Sequence, residues 1–166
     1  VSCLLVSSIK KINVKNMSCY KKFEIDFIKR TLGILEQYEQ CSPLELGEKY
    51  EITLFVNCCV GLIVIPQQVI YDSVPSDRLD NSWDIQNDYI IIFKGERTIK
   101  KFVRHIRNSI AHGHIQLTSD NESEITHVEF EDYKYGEKLP TFRLRIPVKA
   151  LIKFAKKFAE TMLSKL

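Results

Sequence analysis

The chain has 166 residues, of which 45% are hydrophobic and 27% charged, and its formal net charge is +3. This length suits one domain, and the composition excludes collagenous, low-complexity and intrinsically disordered chains. The longest nearly apolar run, Leu54 to Ile65, is shorter than the roughly 20 residues that span a bilayer, so no membrane segment is expected.

The five cysteines contain no CxxC pair, and they do not form the pattern of a secreted disulfide scaffold. No targeting signal is recognisable, so we expect a cytoplasmic protein. Residues 1–16 precede the first well-patterned segment and are expected to be a tail, disordered or upstream of the natural start. Residues 17–166 are expected to form a single domain. No cluster of His, Cys or carboxylates has metal-ligand spacing, so neither a metal nor a cofactor is predicted.

Apolar residues recur at three- and four-residue spacing from Tyr20 to Gln40, which predicts an amphipathic helix. The segment from Glu48 to Ile65 is ambiguous, because its β-branched residues suit a buried strand whereas its length favours a central helix. We predict the helix and expect Pro66 to stop it.

Residues 67–94 form an acidic, variable connector that contains five aspartates. Loops of this length inside a compact domain are usually functional or mobile. Within it, Tyr89 to Phe93 fits a short strand or a helical turn. Trp83 fits a base-stacking platform or, more commonly, an anchor of the loop to the core.

A single apolar stripe predicts a helix from Gly95 to His112, with Gly113 as its C-terminal stop. Alternating apolar residues in Ile125 to Tyr133 and in Thr141 to Ile146 predict an antiparallel β-hairpin within residues 114–147. Pro147 begins a last amphipathic helix. The fold class is therefore mainly α, a four-helix arrangement with an inserted antiparallel β-hairpin.

The nearly neutral total charge conceals an uneven distribution. The third and fourth predicted helices are strongly basic, whereas the hairpin region 120–132 contains six acidic residues and no basic one. A basic helix is typical of proteins that bind phosphate backbones, but on charge alone a solvated face balanced by the acidic hairpin is the favoured explanation.

The basic helix ends with the sequence Arg107-Asn108-Ser109-Ile110-Ala111-His112. Histidine can accept a proton from an attacking 2′-hydroxyl near neutral pH, and arginine can stabilise the charge that develops on phosphorus. Both residues are also favoured near any helix C-terminus by the helix dipole, so the pair by itself is a weak signal.

Helical geometry constrains how this pair can act. Arg107 and His112 lie roughly 140° apart around a straight helix, so one helix does not bring their tips together. A polar stripe made of Lys101, His105, Asn108 and His112 faces away from the apolar stripe. If this stripe meets a two-fold mate, each subunit contributes an Arg/His pair to one composite cleft.

The segment RNSIAH resembles the R-(N/H/D)-x(3–5)-H signature of HEPN domains (higher eukaryotes and prokaryotes nucleotide-binding). The order of the predicted elements is similar to that of the HEPN four-helix bundle. The stretches VNCCVGLIVIP and RNSIAHGH look most like a plasmid-encoded bacterial branch that has a β-hairpin after the motif helix.

This resemblance implies a metal-independent endoribonuclease, active as a homodimer and associated with toxin–antitoxin or antiviral defence systems. Arg107 and His112 would be the catalytic pair, and Asn108 would support or orient them. The products would carry a 2′,3′-cyclic phosphate and a 5′-hydroxyl. The candidate RNA-binding residues on the same helix are Lys100, Lys101, Arg104 and His105. An antitoxin or sensor protein is the expected partner besides RNA.

Two other interpretations remain open from the sequence. One is a non-catalytic HEPN module that binds a nucleotide or a protein and dimerises through the motif helix. The other is an inhibitor or antitoxin-like protein that uses the acidic hairpin as its interaction surface.

Overall fold

A computed structural model describes residues 20–40, 51–120 and 125–165 of the chain. The expected tail at residues 1–16 and the expected helix start at Glu48 lie outside the described residues.

Helix α1, Phe23–Gln40, confirms the first predicted helix and buries Ile28, Thr31 and Leu35. Phe23 was expected on the apolar face, but it is 46% exposed at the first turn, where it packs against the rings of Tyr20 and Phe27 instead.

Helix α2 runs without interruption over residues 51–69, which confirms the choice of helix over strand. It consists of an α-helical part, a π-helical turn and a second α-helical part, namely Glu51–Cys59, Val60–Val64 and Ile65–Val69. The expectation that Pro66 stops the helix is wrong. In the π turn the N–H of Ile65 bonds to the carbonyl of Val60, and Pro66, which has no N–H to donate, lies at the start of the part that follows.

Helix α2 is also longer than the apolar run in the sequence suggested. By length and composition, its window Ile52–Val69 is sufficient to cross a membrane, with a mean hydropathy of 1.8. However, 44% of this window is buried inside the protein, and its π turn packs against three other helices. The central helix of a folded core commonly has this length and composition too, so these two properties are weak evidence for a membrane span.

The π turn brings α2 very close to α1 at Gly61. A Cβ atom at this position would lie 2.4 Å from Oγ1 of Thr31 and 2.8 Å from the ring of Phe27. The Thr31 hydroxyl is buried and donates to the carbonyl of Phe27 at 2.8 Å, so it is not free to move away. Glycine is therefore required for the two helices to touch here.

Helix α3, Ile99–Ala111, begins later than the predicted start at Gly95, because the side chain of Thr98 caps it by accepting from the N–H of Lys101 at 3.3 Å. Its predicted end is confirmed. Gly113 has φ +70° and donates to the carbonyl of Ile110, and His114 donates to the carbonyl of Ser109 at 2.8 Å, as in a Schellman motif.

The predicted hairpin is present but is only half of the sheet. Strands β3, His127–Asp132, and β4, Phe142–Pro147, pair antiparallel as expected. Strand β1, Ile90–Phe93, pairs with β4, and strand β2, Ile115–Thr118, pairs with β3. The result is a four-stranded antiparallel sheet of order β1-β4-β3-β2, so the expectation of a single inserted hairpin is corrected.

The acidic connector is ordered by short 3₁₀ helices and by β1. Trp83 is buried against Phe154, with ring centroids 6.1 Å apart, and Lys157 lies over the Trp83 ring. Trp83 therefore anchors the connector to the core rather than offering a free stacking surface.

Helix α4, Val148–Ser164, follows Pro147 as predicted and buries one apolar face. Its buried side chains are Val148, Leu151, Phe154, Ala155, Phe158, Ala159 and Met162. The mainly α class is thus confirmed. Helix α3 packs against β3 as well as against α2, so the helices pack against a sheet as well as against each other. The strict four-helix bundle therefore stays a prediction.

We predict that Gly61→Ala lowers the free energy of unfolding by about 1–3 kcal/mol, because the new methyl group overlaps Thr31 and Phe27. Gly33→Ala in α1 is the matched control, since a Cβ there meets nothing within 4 Å. It should stabilise the helix by about 0.5–1 kcal/mol. Urea unfolding of both variants measures the two effects, and equal effects would contradict this packing.

Candidate active site

Arg107 lies one turn before the end of α3 and points towards α2. Its Nε donates to Oε1 of Gln67 at 3.1 Å. Gln67 is only 3% exposed, whereas Arg107 is half-buried. Because an arginine side chain has only donors, the Gln67 amide must present its oxygen to it. This contact joins the motif helix to the last part of α2.

Asn108, the next residue, points towards the sheet. Its Nδ2 donates to Oδ2 of Asp132 at 3.0 Å, and Nδ1 of His105 lies 2.7 Å from the same oxygen. Asp132 ends β3 and is 5% exposed. Asn108 therefore supports the docking of the sheet on α3, rather than contacting Arg107 or His112 directly.

His105 is buried, in contrast to the surface position expected for an RNA contact. Its ring stacks flat on Phe142, with centroids 4.8 Å apart and planes 4° apart, and meets the edge of Phe93. Burial lowers the pKa of His105 from its ordinary value near 6.5, although Asp132 acts in the opposite direction. The imidazole is therefore neutral at pH 7, with its proton on Nδ1 towards Asp132.

His112 is the C-cap of α3 and is exposed. Its ring lies 6.0 Å from that of His114, which in turn meets the Tyr133 ring edge-on at 5.0 Å. His114, which follows the cap, is exposed as well. His112 is thus the motif residue that is most accessible to a substrate or to a second protein chain.

The polar stripe predicted on α3 is only partly open. His105 and Asn108 are occupied by Asp132, so the middle of the stripe faces the protein's own sheet. Lys101 and His112 lie at its two ends. Within one chain, Arg107 contacts α2 and His112 lies at the helix end, so the described contacts do not join them.

The basic residues of α3 differ in whether their side chains have an interaction partner. Nζ of Lys100 lies 3.9 Å from the centroid of the Tyr71 ring, and Lys101 pairs with Glu96 at 3.2 Å. Arg104 is exposed, and none of the described residues pairs with its side chain. Of the candidate RNA-binding residues, Arg104 is therefore the one that has no side-chain partner among the described residues, while Lys100 contacts a ring but no acid.

A cavity of about 470 Å³ opens between α3 and the loop that joins β3 to β4. Its floor includes His105, Asn108 and Asp132, and basic residues predominate at its rim. The cationic residues that line it are Lys94, Lys101, Arg104 and Lys134. Glu137 pairs with Lys94 at 3.6 Å and with Lys134 at 3.4 Å, and Lys101 pairs with Glu96, so Arg104 is the lining cation that has no acidic partner among the described residues.

Three of the acidic residues that the structure describes in the hairpin region have arginine partners. Glu131 pairs with Arg143 at 2.6 Å, and Arg145 pairs with both Asp120 and Glu129. The described part of the predicted acidic interaction surface is therefore less negative than the sequence suggested, because arginines of β4 lie directly across from the acids of β3.

Two residues that organise this site, Gln67 and Asp132, were not among the predicted site residues. The sequence does mark Asp132 as unusual, because it is an acidic residue at an inward-facing position of an alternating strand. It does not mark Gln67, since a glutamine directly after Pro66 is typical of the beginning of a loop. No group of three or more potential metal-ligating side chains occurs in the described ranges.

A family model described as HEPN pEK499 p136 matches residues 17–166. The chain belongs to this HEPN family. The match covers α1 to α4 together with the sheet, and it supports the predicted relation to a plasmid-encoded HEPN branch. No curated protein and no solved structure matches the chain.

His105 makes the stability of this HEPN chain depend on pH. As the pH falls through about 6.5, the unfolded chain binds a proton at His105 while the folded chain, whose pKa is lowered, does not. The free energy of unfolding should therefore decrease between about pH 8 and about pH 5.5. His105→Gln should show a smaller decrease, since its side chain does not titrate.

The exposed His114 provides the control for this measurement, and His114→Gln should keep the wild-type decrease. Urea unfolding at the two pH values compares the three proteins. An equal decrease in wild type and in His105→Gln would contradict the burial of a neutral His105.

Proposed function

We propose that this HEPN chain is a metal-independent endoribonuclease that cleaves RNA with Arg107 and His112 at a homodimer interface. Family membership supports a HEPN-type function. The observation that carries the finer proposal is the position of His112, which is exposed at the end of the motif helix within the sequence RNSIAH.

The proposed reaction transfers the phosphoryl group within the RNA strand. The 2′-oxygen attacks phosphorus, its proton passes to a base, and the bond from phosphorus to the 5′-oxygen breaks as that oxygen gains a proton. His112 is the group that accepts or donates the proton, since it is exposed at the end of the motif helix and histidine is the side chain most often used for proton transfer. The products are a 2′,3′-cyclic phosphate and a 5′-hydroxyl.

Arg107 stabilises the charge that develops on the phosphoryl oxygens. Only its Nε is engaged, with Gln67, and within the described residues neither terminal nitrogen has a partner. These two nitrogens form a planar fork that matches two phosphate oxygens. Arg107 is therefore anchored at one side and available at the other.

A second copy of the chain brings an Arg107 and a His112 into one cleft. Within one chain the two side chains point to different neighbours, Arg107 to α2 and His112 to the helix end. A two-fold arrangement repeats the same surface on both subunits, and in the proposed dimer it places the Arg107 of one subunit near the His112 of the other.

Lys100, Lys101 and Arg104 extend the cleft as an RNA-binding rim, in which Arg104 has the free charge. His105 acts from the floor of the neighbouring cavity rather than from the surface. The partners we propose are RNA, a second copy and an antitoxin or sensor protein of a defence system, in the cytoplasm. The buried cysteines Cys58 and Cys59, which are free thiols, suit a reducing compartment.

The second candidate function is a non-catalytic HEPN module that binds a nucleotide or a protein. One observation favours it, because the Arg107 side chain already has a structural use in joining α3 to α2. The cap at His112 uses its backbone N–H on the carbonyl of Asn108 at 3.0 Å, so the imidazole takes no part in it. In this alternative, removal of the Arg107 side chain would weaken the fold or the dimer rather than a reaction.

We predict that His112→Ala lowers the rate of RNA cleavage in EDTA by about a hundredfold or more, because the proton-transfer group is lost. The helix end should persist, since its cap is formed by backbone atoms and Gly113. His114→Ala removes an equally exposed imidazole two residues away and should keep most of the activity.

Cleavage of a mixed single-stranded RNA by purified proteins, with identification of the product ends, tests the proposal. Chelator-resistant cleavage that yields cyclic phosphates and depends on His112 supports it. Equal cleavage by all three proteins indicates a contaminating nuclease. No cleavage by a folded wild-type dimer contradicts the proposal and favours the binding module.

A further inference from the structure

Gln67 occupies an unusual place for a polar side chain. It is 3% exposed, and it lies in the short last part of α2 among apolar residues of the core. A buried polar group lowers stability unless it finds a hydrogen-bond partner. Its hydrogen-bond partner is Nε of Arg107, 3.1 Å from the Gln67 amide oxygen and 40 residues away in the sequence.

The π turn explains how Gln67 reaches this position. A π turn inserts one extra residue, so side chains after it are rotated relative to an uninterrupted α-helix. The turn Val60–Val64 is itself packed against α3, and Pro66 then restricts the backbone immediately before Gln67. The amide oxygen is therefore held by rigid backbone rather than by a mobile loop.

We propose that Gln67 is a positioning residue for Arg107. This inference rests on the proposed ribonuclease function. The bond to Nε fixes the plane of the guanidinium group and leaves its two terminal nitrogens for the phosphoryl oxygens. A free arginine side chain must lose rotamer freedom when it binds the transition state, whereas one that is fixed in advance loses less.

Two substitutions separate the hydrogen bond from the packing. Gln67→Leu keeps a side chain of similar size in the core but removes the acceptor oxygen. Gln67→Glu keeps an acceptor at the same distance from the backbone. Gln68→Leu is the matched control, because Gln68 is the same residue type in the same helical turn but is exposed.

The direct readout is the exchange of the Arg107 Nε proton with water, followed by NMR and assigned from its absence in Arg107→Ala. We expect slow exchange in the wild type, in Gln67→Glu and in Gln68→Leu, and fast exchange in Gln67→Leu. Fast exchange in the wild type, or unchanged exchange in Gln67→Leu, would overturn the contact.

The kinetic readout is the split between kcat and KM for RNA cleavage. Gln67→Leu should lower kcat by about tenfold to a hundredfold with little change in KM, because Arg107 acts on the transition state. Gln68→Leu should leave both constants unchanged. A loss of protection in Gln67→Leu with a kcat equal to that of Gln68→Leu would overturn the positioning role.

The two proposals fail in different ways. If the wild type does not cleave RNA, the ribonuclease function and the positioning role of Gln67 in that reaction both fail. The exchange measurement still decides whether Gln67 holds the Arg107 side chain. If the wild type cleaves RNA but Gln67→Leu behaves as the control, only the positioning role fails. Unfolding midpoints of all variants exclude a general loss of structure as the cause.

Discussion

The position of the motif helix depends on three buried or partly buried hydrogen bonds that tie it to two different parts of the fold. Arg107 bonds to Gln67 in α2, while His105 and Asn108 bond to Asp132 at the end of β3. An apolar stripe alone would hold α3 against the core, yet it would tolerate small rotations about the helix axis. Directional hydrogen bonds between buried groups do not tolerate such rotations, because each buried polar group left without its partner costs about 1–3 kcal/mol of stability.

This arrangement also determines which motif residues remain for chemistry. The contacts with Asp132 withdraw His105 and Asn108 from the surface, and the contact with Gln67 engages only one nitrogen of Arg107. His112 remains accessible because the helix ends there with backbone capping bonds that do not use its ring. The acidic residues of β3, which look like a separate surface in the sequence, are paired with arginines of β4. Among the cations that line the cavity beside α3, Arg104 is the one that has no acidic partner among the described residues.

Features that depend on local sequence were predictable. The apolar stripe of α3, the stop at Gly113 and the alternation in β3 and β4 all follow from residues close together in the chain. The contact of Gln67 with Arg107 spans 40 residues, and that of His105 with Asp132 spans 27, so neither has a local signature. The continuation of α2 through Pro66 was mispredicted because it, too, depends on contacts with distant parts of the chain. A proline normally ends a helix, and the π turn that accommodates it here is stabilised by packing against α1, α3 and α4. Strand β2 is short, and it exists because β3 provides its partner.

In the ribonuclease that we propose, one reactive site is assembled from two copies of this HEPN chain. Mixing Arg107→Ala subunits with His112→Ala subunits tests it most directly, with differently tagged chains to isolate the mixed dimer. If the site is composite, the mixed dimer contains one intact Arg107 and one intact His112 in the same cleft. It should then cleave RNA in EDTA at a measurable fraction of the wild-type rate, although each variant alone is inactive. A mixed dimer that forms but remains as inactive as its parents would contradict the account.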